Sequence, residues 1–400
     1  MINVEKIDIK KKIQMHDFFI KENKIWFTVN GCNKLFTYNI ERKMLCSFGK
    51  FPEEKLNKPN LFIAIEEYRD KLIFIPFMSD KVHIYDTKKN KFESIQLSRD
   101  EKIACKYCSS FRDGDFLYLL PISCKNILKI NLTNYEQEYL WNIEEFLMIN
   151  KKNITNIFFN NDSCKYGNNF VSYISETKIL IIFDILKQQI NIKELASKYN
   201  NIISICNDND IIFCIEHITG NIICWNIKTN KISYIKISYK NIAKESLNQI
   251  LDIRHYGFVH SIFRNNSIYV CPDLGNICIK IDLETKSAYT VIENYQKQNL
   301  DNKYLNSKIH LVGQKLYFFY GIESTFITID EDGMIKKDKI LLNEEELALL
   351  RKEMLEEAIM EEDIRICDIK LLIEKNLKQE EEYNLEKVGY KIFKQIKGDY

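Results

Sequence analysis

A single unit, repeated seven times along the chain, restricts the possible folds more than any other feature. Each copy is a polar turn, an apolar strand, a second turn, and a strand whose last apolar residue is followed by Asp or Asn. That final column reads Asn39, Asp86, Asn131, Asp184, Asn226, Asp282 and Asp330. The residues before it are Tyr38, Tyr85, Ile130, Phe183, Trp225, Ile281 and Ile329, and two positions further back stand Phe36, His83, Leu128, Ile181, Ile223, Ile279 and Ile327. Alternation with a period of two places these side chains on one face of a strand. A short Asp or Asn side chain at the strand end can bond the backbone two residues on and so favours a turn there.

The preceding strand of each unit is equally regular: 25–29, 72–77, 116–120, 170–174, 211–215, 268–271 and 316–320. Turn-forming clusters such as Asp113-Gly114-Asp115 and Asn265-Asn266 introduce them. Successive Asp/Asn positions lie 47, 45, 53, 42, 56 and 48 residues apart, close to the roughly 40–50 residues of a four-stranded propeller blade. No unit contains an amphipathic helical stretch of matching length, which disfavours helical solenoids. Closing the array into a ring also hides strand edges that would otherwise template aggregation. The predicted fold is therefore an all-β propeller of about seven four-stranded blades over residues 1–342, with a C-terminal α-helical extension over 343–400.

The pairs Tyr85-Asp86, Phe183-Asp184 and Trp225-Asn226 occupy the place of the Trp-Asp dipeptide in WD-type blades, and Val82-His83-Ile84-Tyr85-Asp86-Thr87 is similar to the strand-turn signature of bacterial YVTN-type blades. Residues 17–341 thus resemble the bacterial β-propeller superfamily in general. The chain departs from it in lacking a Gly-His pair at the blade openings and the Gly-Gly doublet of kelch blades. The stretch Ser47 to Phe51, with Pro59 downstream, resembles a single NHL-type linker. The resemblance implies the fold and assigns no activity.

From Asn343 the pattern changes. Asn343 followed by Glu344-Glu345-Glu346 has the form of a capped helix start, and Leu347, Leu350, Met354, Leu355 and Ala358 recur at helical spacing. Asp368 is read as the cap of a second helix with Leu371, Leu372, Ile373 and Leu377. Val388, Ile392, Phe393 and Ile396 are read as a third apolar stripe. Covering an apolar patch of the propeller is the simplest role for these helices; the alternative is a docking arm for another protein.

The composition, 46% apolar and 28% charged, is that of a globular chain. Asparagine, isoleucine and lysine are abundant while glycine (12) and proline (5) are scarce, as A/T-rich codons produce, and the asparagines never form a tract. The net charge of +1 divides into about −6 after residue 342 and about +7 before it, too dilute for nucleic-acid binding. The charged N-terminus lacks the apolar core of a signal peptide, and no uncharged apolar run reaches membrane-spanning length. A cytoplasmic protein with twelve reduced cysteines is expected.

No local motif announces chemistry. Cys105-Lys106-Tyr107-Cys108 has no second pair for zinc, and in a strand its two thiols point to opposite faces. There is no His-Glu-x-x-His, no Gly-x-Ser-x-Gly and no phosphate-binding Gly-rich loop. The scarcity of glycine also argues against a nucleotide cofactor. Neither a cofactor nor a metal is expected. The densest ligand-binding candidates are Arg254, His255, Tyr256 and His260, at the start of the sixth blade's first strand, with His310 at the start of the seventh's. Such residues would line the central channel; separate loop positions without a common target are the bland alternative.

The longest links, 49–60, 141–156, 238–257 and 293–308, all join one blade to the next and so belong on one face of the disc. Lys58, Trp141, Arg254, Tyr256 and Tyr295 are their candidate contact residues. The leading functional expectation is a non-enzymatic scaffold that binds a protein or peptide through a propeller face and the tail. The alternative is an enzyme, a lyase or glycan-acting hydrolase, with a small-molecule site at the channel. Converging acids or histidines at the axis would favour the enzyme, and an apolar, charge-depleted face the scaffold.

Overall fold

A computed structural model describes residues 13–97, 105–122, 126–149, 159–174, 177–244, 247, 259–272, 277–293, 307–321 and 323–360. The chain forms two compact units: residues 12–54 with 58–341, and residues 1–11 and 55–57 with 342–400.

The first unit is a seven-bladed β-propeller. Each blade is an antiparallel sheet of four strands in sequence order. Blade 1 (β1–β4) spans Phe18–Lys50, blade 2 (β5–β8) Phe62–Gln96, blade 3 (β9–β12) Tyr107–Asn142, blade 4 (β13–β16) Phe159–Glu194, blade 5 (β17–β20) Ile202–Ile235, blade 6 (β21–β24) Val259–Glu293 and blade 7 (β25–β28) His310–Lys339. The first strand of every blade is innermost and packs beside the first strands of its neighbours, as β9, β13, β17 and β21 do in turn.

The second and third strands of each blade are apolar on both faces, so each blade needs a neighbour on either side. Between blades 2 and 3, Ile73, Ile75, Val82 and Ile84 pack with Leu117, Leu119, Leu128 and Ile130. Between blades 5 and 6, Ile215 and Ile222 meet Val270 and Ile279. Complete burial of each such side chain contributes about 1.5–3 kcal/mol. The core is therefore a ring of wedges. In contrast, the outermost strands are largely exposed, as the pattern along Lys91–Gln96 shows.

The Asp/Asn column closes every outer hairpin. Asn39 Oδ1 accepts from the Glu41 and Arg42 amides, Asp86 Oδ1 from Lys88 and Lys89, and Asp282 Oδ1 from Glu284 and Thr285, at 2.8–3.1 Å. Asn131, Asp184 and Asn226 bond Thr133, Lys187 and Thr229 in the same way. Four residues after the acceptor the backbone turns left-handed, at Lys43, Asn90, Tyr135, Gln188, Asn230 and Lys286. In blade 7 Asp330 instead bonds the Met334 amide at 2.8 Å, and Gly333 carries the positive φ.

One segment read as an extended link contains a helix. In α1 (Ile143–Ile149), the Asn142 side chain accepts from the Glu145 amide at 3.1 Å while Ile143 and Leu147 are buried in the wedge between blades 3 and 4. A stretch of seven residues, about two turns, was too short to register as an amphipathic helix.

In the second unit, α2 (Glu344–Met360) begins with a reciprocal cap: Asn343 Oδ1 accepts from the Glu346 amide at 2.8 Å, and Glu346 Oε2 from the Asn343 amide at 3.1 Å. Leu347, Leu350 and Met354 are buried, and Glu357 accepts from the Leu56 amide at 2.7 Å. The two later helices expected in the tail lie outside the described residues.

A non-glycine residue held left-handed is strained by about 1–2 kcal/mol. Gln188→Gly is therefore expected to raise stability by about 0.5–1 kcal/mol, glycine's extra unfolded-state entropy offsetting part of the relief. Urea denaturation measures it; a variant less stable than the parent would show that the turn is not under strain.

Candidate active site

Because every blade has an even number of antiparallel strands, each innermost strand starts at the same end of the ring. The innermost strands are β1 (Phe18–Lys21), β5 (Phe62–Tyr68), β9 (Tyr107–Asp113), β13 (Phe159–Tyr166), β17 (Ile202–Asp208), β21 (Val259–Arg264) and β25 (His310–Val312). Bulky apolar groups crowd the wedges, but small polar groups join the innermost strands. Ser110 Oγ donates to Glu66 at 2.7 Å, the Ser109 and Ser163 hydroxyls lie 3.0 Å apart, and Ser204 bonds Ser261. The axis is consequently polar.

At the entry end these contacts grow into an acid–base cluster. His310, the first residue of β25, bonds through Nε2 to Asp17 Oδ1 immediately before β1. The other Asp17 oxygen accepts the Ile65 amide of β5 at 2.9 Å, so one carboxylate joins blades 7, 1 and 2. Asp17 is buried, whereas the His310 side chain keeps 28% of its surface exposed. Burial pushes the Asp17 carboxyl upward, but the charge and hydrogen bond of His310, the Lys308 ammonium and the Ile65 amide outweigh it and hold Asp17 below the usual carboxylate range.

Glu66 follows Ile65 and has the opposite fate. Burial raises its pKa, the charge of Asp17 adds to the effect, and Ser110, Lys308 and Arg112 do not compensate. Neighbouring carboxyl groups whose environments push them apart are the usual basis for dividing acid and base roles. His16 sits beside them, its Nε2 3.0 Å from Asn60 Oδ1 and its backbone carbonyl accepting the Lys308 amide at 2.9 Å. Burial depresses its pKa; the Asn60 bond opposes this, and the charge of nearby His260 adds to it. The imidazole is thereby held as a neutral base.

Of the residues singled out from sequence, the structure places His260 and His310 at this entry end. Arg254, His255 and Tyr256 lie outside the described residues, as does Tyr295. Lys58 pairs with Glu54 at 3.6 Å, and Trp141 packs into the wedge between blades 3 and 4. Sequence reasoning missed His16, Asp17, Glu66 and Lys308. Their one shared signal is position, at or just before an innermost strand, and no spacing rule links His16 and Asp17 before blade 1 to Glu66 in blade 2 or Lys308 before blade 7.

Two other clusters are structural. Glu54 Oε1 lies 2.5 Å from Ser79 Oγ and 3.3 Å from His83 Nε2, so the serine is bonded to the carboxylate and not to the imidazole, and the group ties the link before blade 2 to its inner turn. Arg264 is buried and donates to the carbonyls of Gln314, Ile329 and Asp330, clamping blade 7 to blade 6. Burial raises the pKa of both Cys105 and Cys108, which leaves them as protonated, inert thiols. Among the described residues, no three His, Cys, Asp or Glu side chains are arranged to hold a metal ion, and no helix is long and apolar enough to cross a membrane.

The chain is thus a seven-bladed β-propeller with a titratable axial site. No family model and no curated protein matches its sequence. Among solved structures it is similar to virginiamycin B lyase from Staphylococcus aureus, at a TM-score of 0.57 and 10% identity over 78% of this chain and 93% of that one. It is also similar to PorZ, a surface component of the type-IX secretion system of Porphyromonas gingivalis, at 0.54 and 10% over 83% of this chain and 38% of that one. The computationally designed Ika8 protein matches at 0.51 and 9%, over 82% and 88%. At such identities the likeness shows the fold alone.

The opposed shifts predict opposed pH effects. Asp17, depressed in the fold, contributes stability that is present above its unfolded value of about 3.8 and lost as pH falls through the lower folded value. Glu66, raised in the fold, binds more protons folded than unfolded above about 4.5, so stability declines as pH rises from there through its folded value. Denaturation at a series of pH values should show Glu66→Gln removing the decline above 4.5 and Asp17→Asn removing the loss below 3.8. A Glu66→Gln profile parallel to the parent's would contradict the assignment.

Proposed function

We propose that this propeller is an acid–base enzyme, acting at its axis on a small molecule by an elimination of the lyase type. The carrying observation is the pairing of a histidine oriented by a buried carboxylate with an adjacent carboxyl group held toward its protonated form. Asp17 fixes the tautomer and direction of the His310 ring, the usual way to prepare an imidazole as a general base. His310 takes a proton from carbon and the freed electron pair forms the double bond. The bond to the leaving group breaks, and Glu66 gives that group its proton. No redox partner or co-reactant is required.

The fold-level likeness supports this reading by analogy only: a histidine-to-alanine variant of the S. aureus virginiamycin B lyase is described as catalytically inactive. The scaffold alternative finds less support. Among the described residues the large apolar side chains most exposed are Leu186, Ile218 and Met334, which belong to three different blades and mark no single docking face.

A thermal-shift screen of small organic acids, esters and glycosides against the full chain tests the proposal. At least one compound is expected to stabilise the parent and to be converted by it, with turnover about 10²–10³-fold slower in His310→Ala and in Glu66→Gln. If no compound is both bound and converted, or if conversion survives both substitutions, the enzyme reading fails.

A further inference from the structure

Ten cysteines fall among the described residues, and two of them stand opposite each other on neighbouring strands. Blade 6 pairs β22 (Ser267–Pro272) with β23 (Ile277–Asp282) in antiparallel register, from Ser267 with Asp282 to Val270 with Ile279. The next step of that register sets Cys271 against Cys278. Cys271 Sγ donates to the Ile277 carbonyl at 3.7 Å, so its thiol lies against β23 beside Cys278. Both side chains belong to one apolar cluster with Leu316 and Phe318 of blade 7, which puts them on the same face of the sheet.

The cysteines of blade 5 lack this placement. Cys206 and Cys224 both oppose Phe213, so a whole strand separates them, and Cys214 faces Ile205 and Ile223. Opposed Cα atoms of an antiparallel ladder stand about 4.5–5.5 Å apart, inside the roughly 4.4–6.8 Å that a disulfide spans. Cys271 and Cys278 therefore lie within bridging distance. Their row continues to either side: Cys271 also opposes His260 of β21 at the entry end of the axis, and Cys278 opposes Ile292 of β24 (Ser287–Glu293).

We infer that Cys271 and Cys278 are a disulfide-forming pair, a covalent modification site that locks the entry end of blade 6 behind His260. The oxidant is a small disulfide of the oxidised glutathione type. One cysteine sulfur attacks a reagent sulfur, breaking the reagent's S–S bond and releasing one thiol, and the second cysteine then displaces the other. The chain loses two protons and two electrons, and the reagent is reduced to two thiols. Both cysteines are fully buried, so exchange waits on local opening of the hairpin end. Burial thus sets the rate of bridging, while the register sets its equilibrium. The inference is independent of the chemistry proposed at the axis.

The full chain is refolded from urea in a buffer of reduced and oxidised glutathione, so that burial does not delay exchange, and a second sample stays in urea in the same buffer. Both are alkylated and mapped by peptide mass spectrometry. The ratio of linked to unlinked Cys271–Cys278 is expected to be at least about tenfold higher in the folded chain. By the same thermodynamic cycle the linked chain unfolds at higher urea, and Cys278→Ala abolishes that dependence on the redox buffer. With ¹⁵N-histidine, the His260 imidazole signal is expected to move on oxidation of the parent and to stay in place in Cys278→Ala. A folded ratio no higher than the unfolded one, Cys271 linked instead to another cysteine, or an unmoved His260 signal in the linked chain overturns the inference. The parent's ratio decides even where the variant fails to fold.

Discussion

The seam between blades 7 and 1 is the contact on which the rest of the propeller depends. Each blade is apolar on two faces and is stable only with a neighbour on each, so an open array would leave one face of blade 1 and one of blade 7 in water. Sharing a strand between the ends would close such a ring by ladder hydrogen bonds, but among the described residues every blade is four consecutive strands and none is exchanged. Closure falls to side chains and to the backbone bond from the Lys308 amide to the His16 carbonyl. Phe18 packs edge-on against Phe326 with ring centroids 5.0 Å apart, Asp338 meets Lys43 at 3.4 Å, the Ile13 amide donates to Ser324 Oγ at 3.2 Å, and Asp17 bonds His310.

The Asp17–His310 pair therefore has two roles. As a clasp it joins the first and last blades, and through the Ile65 amide it reaches the second. As a site it presents a partly exposed imidazole to the axis from a fixed direction. A group held by ring closure is preorganised without local strain, because the energy that positions it comes from the apolar wedges around the whole ring. The same coupling means that substitutions at the seam alter stability and site geometry together, which separates Asp17 from Glu66, bonded to Ser110 of the next innermost strand.

Polarity at the axis has a geometric origin. Seven innermost strands converge at the axis, and serines at 109, 110, 163, 204 and 261 make hydrogen bonds across neighbouring strands there. Large apolar residues are displaced outward into the wedges. Ionisable groups that remain inside are surrounded by protein, so their protonation shifts in directions set by their individual partners. Asp17 and Glu66 illustrate this: both are desolvated, but Asp17 is bonded to the His310 imidazole and the Ile65 amide, whereas Glu66 accepts a serine hydroxyl beside the charge of Asp17.

What the sequence determined by itself is everything that repeats or is local: the seven Asp/Asn turns, the second and third strands of each blade, the Asn343 helix cap and, from their spacing, the propeller. These follow from strand alternation, turn chemistry and capping, which act over a few residues. The short helix after Asn142 escaped notice because about two turns carry too little periodicity. The site was only half legible. His260 and His310 stood out as histidines at strand starts, but Asp17 is 293 positions from His310 and Glu66 is 44 from Ser110. No sequence pattern links such pairs, because their proximity is produced by closure of the ring. Which blade meets which at the seam and which carboxyl loses its proton were decided by the tertiary structure alone, since each depends on distances and burial that exist only once all seven wedges are packed.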